Sequence, residues 1–133
     1  MVIDTSALIC ILLDEPEAER YAGCLAETDA PFVMSAATWL ETMLVMSGRR
    51  GEVGVQSLDA LLKLASIEIV PVDAALAGIA YQAWLQYGKG RHPAGLNFGD
   101  CFSYALAKQR QESLLFKGED FSKTDIGRVP SIP

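Results

Sequence analysis

The chain has 133 residues, half of them hydrophobic, and a formal net charge of −6 at pH 7. Length and hydrophobic content predict one globular domain over residues 1–133, with enough apolar side chains for a core. An acidic chain is a poor non-specific ligand for nucleic acid, because neutralisation of phosphates supplies most of that affinity. This argument against a nucleic-acid partner fails where acidic side chains hold a divalent cation, because the bound ion reverses the local sign of charge.

The chain lacks targeting and disulfide signals. No apolar run is long enough to span a bilayer, and the first residues lack the basic flank of a signal peptide. Cys10, Cys24 and Cys101 are odd in number and widely spaced, each within an apolar helical pattern. They are interpreted as reduced core thiols, neither a disulfide framework nor a zinc site. These features predict a cytoplasmic protein.

Short apolar strands alternate with helical patterns along the chain, which predicts an α/β sandwich around a mainly parallel sheet of four or five strands. The helix after the second strand is expected to end near Gly48, before a basic turn at Arg49-Arg50-Gly51. Val129 is a candidate start of a short last strand. The predicted strands are residues 1–3, 31–34, 67–70 and 113–116. Six helices are predicted: one from residue 4 or 5 to 13, and others at 16 to about 26, 36 to about 48, 55–65 and 74 to about 87, with the last beginning at 97.

Glu41 interrupts an apolar helical face. Ala37, Leu40, Leu44 and Val45 share one side of the helix that Ser35 is predicted to cap, and Glu41 lies among them. An ionised carboxylate in an apolar stripe is costly unless it is paired or bound to a metal. Of all the acids in the chain, Glu41 is therefore the hardest to explain as a solvated surface charge.

The stretch GRHPAGLNFGDCFSYALAK, residues 90–108, holds a second notable acid, Asp100. Asn97 precedes Asp100 by three residues, the spacing of an N-cap followed by an acidic group at the third helical position. Asp100 then belongs to the first turn, where the helix dipole favours negative charge. A purely structural capping role is the alternative interpretation. His92, the one histidine, is interpreted as a loop residue.

Three acids fall where a strand meets a helix or loop, or just after such a junction: Asp4, Asp100 and Asp120. If these junctions share one sheet edge, these carboxylates and that of Glu41 converge on one pocket. Several carboxylates cannot stay ionised together without a cation, and an all-oxygen ligand set favours magnesium or manganese. Such a site would activate water for phosphodiester hydrolysis. Acids at helix starts are also common for structural reasons, so spacing alone leaves both interpretations open.

Four segments occur in order along the chain: MVIDTSALI, a glutamate in the helix after the second strand, LNFGDCFSYALAK, and LLFKGEDFSKTDI. Together they resemble the PIN-domain ribonucleases, and in particular the VapC toxins of bacterial toxin–antitoxin pairs. The resemblance covers essentially the whole chain, and FGDCFSYALA is its most specific part. It implies a PIN-like three-layer α/β/α sandwich with a twisted central sheet, a homodimer, and a cognate VapB-type antitoxin that covers the acidic pocket.

The resemblance also implies roles for individual residues. Asp4 and Asp100 correspond to the principal Mg²⁺ ligands, Mn²⁺ being a possible substitute, and Glu41 completes the acidic triad. Asp120 corresponds to a fourth acid that the family often places two residues earlier, where this chain has Gly118, so Glu119 is an alternative. Residues expected to contact substrate or its backbone are Thr5, Ser6, Asn97, Arg91, Arg49, Arg50, Lys89 and Lys117. Thr5 and Ser6 would orient Asp4 or a phosphate oxygen, or simply cap their helix.

The leading hypothesis is a Mg²⁺-dependent endoribonuclease toxin that cuts structured RNA such as tRNA or rRNA. A PIN-like module that docks RNA or protein without cutting it is the alternative. A third hypothesis is a phosphotransfer domain, which would use Asp4 after the first strand and Lys117 after the fourth. It is disfavoured because the second aspartate that aspartyl phosphatases use would stand at position 6, which holds Ser6.

Overall fold

The computed structural model describes residues 1–127 and 129. Apolar segments of two or three residues form the strands, and the amphipathic segments between them form five helices. The strands are β1 (Val2–Ile3), β2 (Val33–Ser35), β3 (Glu68–Val70) and β4 (Leu114–Leu115); the helices are α1 (Thr5–Leu12), α2 (Ala18–Glu27), α3 (Ala36–Leu64), α4 (Ala74–Tyr87) and α5 (Phe98–Arg110), with a short 3₁₀ helix at Phe121–Lys123.

The four strands form one parallel sheet in the order β3-β2-β1-β4. Strand β1 is central: Val2 pairs with both Val33 and Leu114. Because every pairing is parallel, the carboxyl ends of all four strands lie at the same edge of the sheet. Asp4 follows β1 at that edge, and Ser35 ends β2 there. The predicted α/β architecture with a parallel sheet is confirmed.

Side chains alternate across the sheet into two separate cores, as the two-residue period of a strand requires. Val2, Val33 and Leu114 face one cluster, which includes buried residues of α4 and α5. Ile3, Met34 and Leu115 face the other, which is built with residues of α1, α2 and the second half of α3. The sheet thus lies between two helical layers, as the three-layer prediction required.

Helix α3 departs from prediction in two ways. Arg49-Arg50-Gly51 was expected to form a turn, but the helix continues through both arginines and is interrupted at Gly51 alone, whose φ of 61° and ψ of −149° are not helical. The other difference is the buried face, which carries Thr38, Thr42 and Met46, whereas Leu40 and Leu44 are exposed. The apolar stripe inferred around Glu41 therefore does not face the core.

Two other expectations concern the chain ends and cysteines. Val129 is buried but is not in a strand, and the rest of the last strand suggested there lies outside the described residues. Cys10, Cys24 and Cys101 are buried free thiols, as predicted. Across the described chain no helix combines the length and apolar character needed to cross a membrane.

Candidate active site

Asp4 lies between β1 and α1 and is only 3% exposed. The change from strand to helix leaves the first N–H groups of α1 without helical partners, and the Asp4 side chain accepts one of them. Its Oδ2 accepts the Ser6 N–H at 3.0 Å and the Ser6 hydroxyl at 2.7 Å. The backbone of Asp4 is fixed in turn by donation of its N–H to the Leu115 carbonyl at 2.9 Å. Asp4 is both a helix cap and a buried carboxylate at the sheet edge.

Asp100 is held in the first turn of α5 by the capping box that the sequence predicted. Its N–H donates to Oδ1 of Asn97 at 2.8 Å, and its Oδ2 accepts the Asn97 N–H at 3.0 Å. Asn97 therefore uses its side-chain oxygen to cap the helix. The expected contact of Asn97 with substrate stays a prediction.

Glu41 reaches the same region from α3. A methyl group built at Gly99 would lie 2.7 Å from Cδ of Glu41, so the carboxylate occupies the space that any side chain at position 99 would need. Gly99 immediately precedes Asp100, so this close approach brings the Glu41 carboxylate to the first turn of α5. Packing against α5 explains the partial burial of Glu41; the apolar stripe inferred from sequence does not.

The electrostatics show that these acids share one environment. The pKa of Asp100 is raised to about 7, mainly by burial and also by the negative charges of Asp4, Asp120 and Glu41, while the Asn97 hydrogen bond opposes the shift. Burial also raises the pKa of Glu41, with a contribution from Asp4, while a hydrogen bond from Thr5 opposes the shift. In the described part of the chain no ion pair engages Asp4, Glu41 or Asp100.

Buried hydroxyl groups pack behind the acids. The Thr42 hydroxyl donates to the Thr38 carbonyl at 2.8 Å, and its oxygen lies 3.0 Å from Oγ1 of Thr5. Ser103, on α5, donates to Oδ1 of Asp4 at 2.5 Å, and its oxygen lies 3.3 Å from Oγ1 of Thr38. Thr38, Thr42 and Ser103 were not predicted as site residues, although Ser103 stands one helical turn after Asp100 and the two threonines flank Glu41 on α3.

Ser6 is a structural support for Asp4. Besides donating to Asp4, the Ser6 oxygen accepts the Lys117 N–H at 3.0 Å. The Lys117 ammonium lies 2.8 Å from Glu15 and 3.0 Å from Glu17, which raises its pKa. Lys117 was expected to hold the RNA backbone, but these two ion pairs use its charge within the chain. The segment after β4 is thus connected to the α1–α2 turn and, through Ser6, to Asp4.

Asp120 and Glu119, the alternative fourth acids, are both exposed. Asp120 begins the 3₁₀ helix without a capping hydrogen bond, and its charge is among those that raise the Asp100 pKa. Glu119 accepts the Ser122 hydroxyl at 2.9 Å. Asp120 is therefore the acid of this pair that is electrostatically connected to Asp100.

The candidate RNA-contacting cations lie on two segments. Arg49 and Arg50 are exposed on α3, and Lys89 and Arg91 are exposed in the loop before α5. The Arg91 guanidinium lies over the Trp84 ring, 4.2 Å from its centroid. In the same loop, Nδ1 of His92 accepts the Ala94 N–H at 3.0 Å, a local structural role. Contacts of these cations with substrate stay predictions.

The donor set was tested against a divalent cation. Within residues 1–127 and 129, no three acidic, cysteine or histidine side chains are arranged around a single ion position. The chemistry of the donors still fits Mg²⁺, because the Asp4, Glu41 and Asp100 carboxylates come from separate elements and offer only oxygen ligands, and the charges of Asp4 and Glu41 contribute to the raised pKa of Asp100.

Comparison with known proteins decides the family. A PIN domain family model matches residues 1–127. A protein named Ribonuclease VapC from Mycolicibacterium smegmatis is 55% identical over 129 residues, which cover 97% of this chain and 99% of the relative. This chain belongs to the VapC family of PIN-domain ribonucleases.

Two solved structures share the fold at low sequence identity. Mycobacterium tuberculosis VapC20, described as a Sarcin-Ricin loop cleaving toxin, superposes with a TM-score of 0.79 at 18% identity, covering 96% of this chain and 97% of its own. A toxin–antitoxin complex from Klebsiella pneumoniae contains a chain with a TM-score of 0.70 at 19% identity, covering 98% of this chain and 96% of that one.

VapC family membership confirms the resemblance that the four sequence segments indicated, and with it the PIN-like fold. The match to the family model includes every acid assigned to the site, from Asp4 to Asp120. The individual roles of Asp4, Glu41, Asp100 and Asp120, and those of Thr5 and Arg91, stay predictions from sequence and geometry. PIN-domain ribonucleases of this family generally depend on a metal ion, and its identity for this chain is part of the proposal below.

Proposed function

We propose that the protein is a Mg²⁺-dependent endoribonuclease toxin that hydrolyses phosphodiester bonds with metal-activated water. One observation carries the proposal: the Asp100 carboxylate shares a partly buried environment with the carboxylates of Glu41 and Asp4, and burial together with the charges of Asp4, Asp120 and Glu41 raises its pKa to about 7. A folded chain that places like charges together at the C-terminal edge of a parallel sheet has the electrostatics of a cation site. Mn²⁺ is expected to substitute for Mg²⁺.

Each acid has a distinct part in this proposal. Asp4 is the fixed ligand, because β1 and Ser6 hold its carboxylate in one orientation. Asp100 and Glu41 complete the ligand set from α5 and α3. Asp120 adds negative charge from its exposed position at the start of the 3₁₀ helix. The bound ion supplies Lewis acidity and an activated water for hydrolysis. Thr5, bonded to Thr42 and interacting with Glu41, orients that carboxylate.

Structured RNA, tRNA or rRNA, is the substrate class that we propose. Because the chain is acidic overall, affinity for phosphate must be local. The exposed cations of the loop before α5, Lys89 and Arg91, precede the capping box of Asp100 by only a few residues. They are therefore proposed to bind the RNA backbone beside the carboxylates, and Arg49 and Arg50 to bind it from α3.

The partners that we propose are a cognate VapB-type antitoxin and a second copy of the chain. Leu40, Leu44 and Phe98 are large apolar residues with exposed side chains, and they are neighbours in sequence of Glu41 or Asp100. Exposed apolar side chains beside a charged pocket are typical of a surface that another protein covers. An antitoxin arginine directed at the carboxylates would inhibit by forming charge-assisted hydrogen bonds in place of the metal. The complex is proposed to form in the cytoplasm.

The test is cleavage of total bacterial RNA by the purified protein, with Mg²⁺ or with EDTA. Wild type should cut only with Mg²⁺, and Asp4→Asn and Asp100→Asn should each lose at least about 100-fold in rate. Asp59→Asn is the matched control, because Asp59 is exposed on α3 and pairs with Lys63 at 2.9 Å. Equal cutting with EDTA, or by the Asp100→Asn variant, would contradict the proposal.

The non-cutting docking module remains the second candidate because of one observation. As the side chains stand, the described residues contain no three-ligand arrangement. Calorimetric titration with Mn²⁺ separates the two functions, since a docking module needs no metal. Absence of Mn²⁺ binding together with RNA binding that does not lead to cleavage would favour the module.

A further inference from the structure

Asp4 has few free acceptor positions. An ionised carboxylate offers about four lone-pair positions for hydrogen bonds or metal ions. Ser6 occupies both positions on Oδ2 with its N–H and its hydroxyl, and the Ser103 hydroxyl occupies one position on Oδ1 at 2.5 Å. Among the described residues, no donor occupies the last position, which is on Oδ1. The orientation of that last lone pair depends on the bond from Ser103.

The bond from Ser103 is built into the core. Ser103 is 1% exposed, and its oxygen lies 3.3 Å from Oγ1 of Thr38, which in turn lies 2.9 Å from the Ser35 hydroxyl. Because a carboxylate can only accept, the Ser103 proton points to Asp4. Ser103 can then accept from Thr38, and Thr38 from Ser35. The three hydroxyl groups form a directed chain that ends at Oδ1 of Asp4, in surroundings where hydrogen bonds reinforce one another.

This chain of hydroxyls also links the two principal acids. Ser103 stands three residues after Asp100 on α5, so both side chains lie on one side of that helix. The Ser103–Asp4 bond joins residues 99 positions apart and ties the end of β1 to the helix that carries Asp100. The separation of the Asp4 and Asp100 carboxylates is therefore set by a side-chain bond as well as by backbone packing.

We propose that Ser103 is a positioning residue for metal binding: its hydroxyl fixes Oδ1 of Asp4, so that Asp4 binds the cation through a single lone pair of that oxygen. The inference rests on the proposed metal-dependent function. Partners that orient a metal ligand typically contribute 10–100-fold to metal affinity. Ser103 contacts neither the cation nor the RNA in this account.

The experiment is calorimetric titration of the full chain with Mn²⁺ alone, combined with thermal unfolding. Ser103→Ala should weaken Mn²⁺ binding by about 10-fold or more, and Ser103→Thr, which keeps the hydroxyl, should restore it to within about threefold of wild type. Tyr104→Phe is the matched control, because it removes a buried hydroxyl from the same helix that bonds Asp125 and not Asp4. It should lower the melting temperature and leave Mn²⁺ affinity within about threefold of wild type.

Two outcomes would overturn the positioning role. Unchanged Mn²⁺ affinity in Ser103→Ala overturns it while leaving the proposed nuclease intact, and equal losses in Ser103→Ala and Tyr104→Phe reduce the effect to general loosening of the fold. If wild type fails to bind Mn²⁺, both proposals fail together. Should Ser103→Ala not fold, Ser103→Cys replaces it, because a thiol nearly preserves the volume and is a weak donor. It should also weaken Mn²⁺ binding.

Discussion

Glu41 packs its carboxylate against the bare backbone of Gly99, the residue before Asp100, so closely that a methyl group at position 99 would lie 2.7 Å from Cδ of Glu41. The absence of a side chain at position 99 therefore lets α3 and α5 bring two acids to one place. A glycine in the first turn of a helix would ordinarily be a small loss of stability, because alanine is the better helix former. At position 99 the lower helix propensity of glycine is offset by a structural gain, because only a residue without a side chain lets Glu41 approach Asp100.

The Gly99→Ala variant tests this relationship directly. The added methyl should displace the Glu41 carboxylate and lower metal-dependent RNA cleavage by about 10-fold or more, the effect of a misplaced catalytic group. Gly78→Ala is the control, since a methyl at Gly78 of α4 meets nothing within 4 Å. Gly78→Ala should stabilise the fold by about 0.5–1 kcal/mol without changing cleavage. Full cleavage by Gly99→Ala would show that the placement of Glu41 does not matter.

The raised pKa of Asp100 predicts that the metal-free protein loses stability as the pH rises. An acid whose pKa is about 7 in the folded chain, against 3.8 in the reference state, binds its proton more tightly when folded. The free energy of unfolding therefore falls between these two pH values and is lowest above pH 7. Allowing for partial exposure, we expect a loss of about 1–2 kcal/mol between pH 5 and pH 8.

Chemical denaturation in EDTA at pH 5 and pH 8 measures this dependence. Glu41 should add to it, because its pKa is also raised, whereas acids with lowered pKa values, such as Glu112 and Asp125, affect stability mainly below this window. Asp100→Asn keeps a side-chain oxygen for the capping box and removes the titrating charge. The variant should lose most of the pH dependence and be more stable than wild type at pH 8. A wild-type curve that is flat in this window contradicts the prediction.

Asp120 should contribute less to cleavage than Asp100 does. Asp120 is exposed and makes no capping bond, and it acts on Asp100 through its charge alone. Asp120→Asn should therefore lower the cleavage rate by less than about 10-fold, against at least about 100-fold for Asp100→Asn. Glu119→Gln is the companion variant and should leave the rate unchanged, since Glu119 bonds Ser122 locally. A larger loss in Glu119→Gln would assign the fourth acid to position 119.

Asp125 should be important for stability and not for catalysis. It accepts the Tyr104 hydroxyl at 2.5 Å and the Lys108 ammonium at 2.8 Å, and the bond from Lys108 is the main cause of its lowered pKa. Removing the hydroxyl in Tyr104→Phe should cost about 1 kcal/mol of unfolding free energy. Cleavage measured well below the melting temperature should be unchanged. Loss of activity without loss of stability would place Asp125 among the functional acids.

Local signals in the sequence predicted the parts of the site that are themselves local. Asn97 and Asp100 form their capping box within one helical turn, and Ser35 caps α3, so residue type and spacing sufficed. The order of strands placed Asp4 at the correct sheet edge. Glu41 was identified for a physical reason that proved wrong, because periodicity reveals that a helix has an apolar side without revealing which side the core covers.

The rest of the site depends on contacts between distant residues. Ser103 meets Asp4 across 99 positions, and Thr42 meets Thr5 across 37, and neither pair has a local signature. Ser6 was expected to orient Asp4 or a phosphate oxygen; its bonds to Asp4 and to the backbone of Lys117 fit the first of these roles. Lys117 was expected to bind the RNA backbone, but in the structure its ammonium forms ion pairs with Glu15 and Glu17. Such pairings follow from tertiary packing alone.

The central position of β1 has a consequence for how the protein is made. Among the described strands, the earliest in the chain pairs with the latest: Val2 and Ile3 pair with Leu114 and Leu115, and the Asp4 N–H donates to the Leu115 carbonyl. Contacts between such distant residues form late, and the ribosome releases the chain from its first residue onward. Until β4 has been synthesised, Asp4 lacks the Leu115 carbonyl to which its N–H donates. We therefore expect RNA cleavage to begin only after this strand has paired with β1.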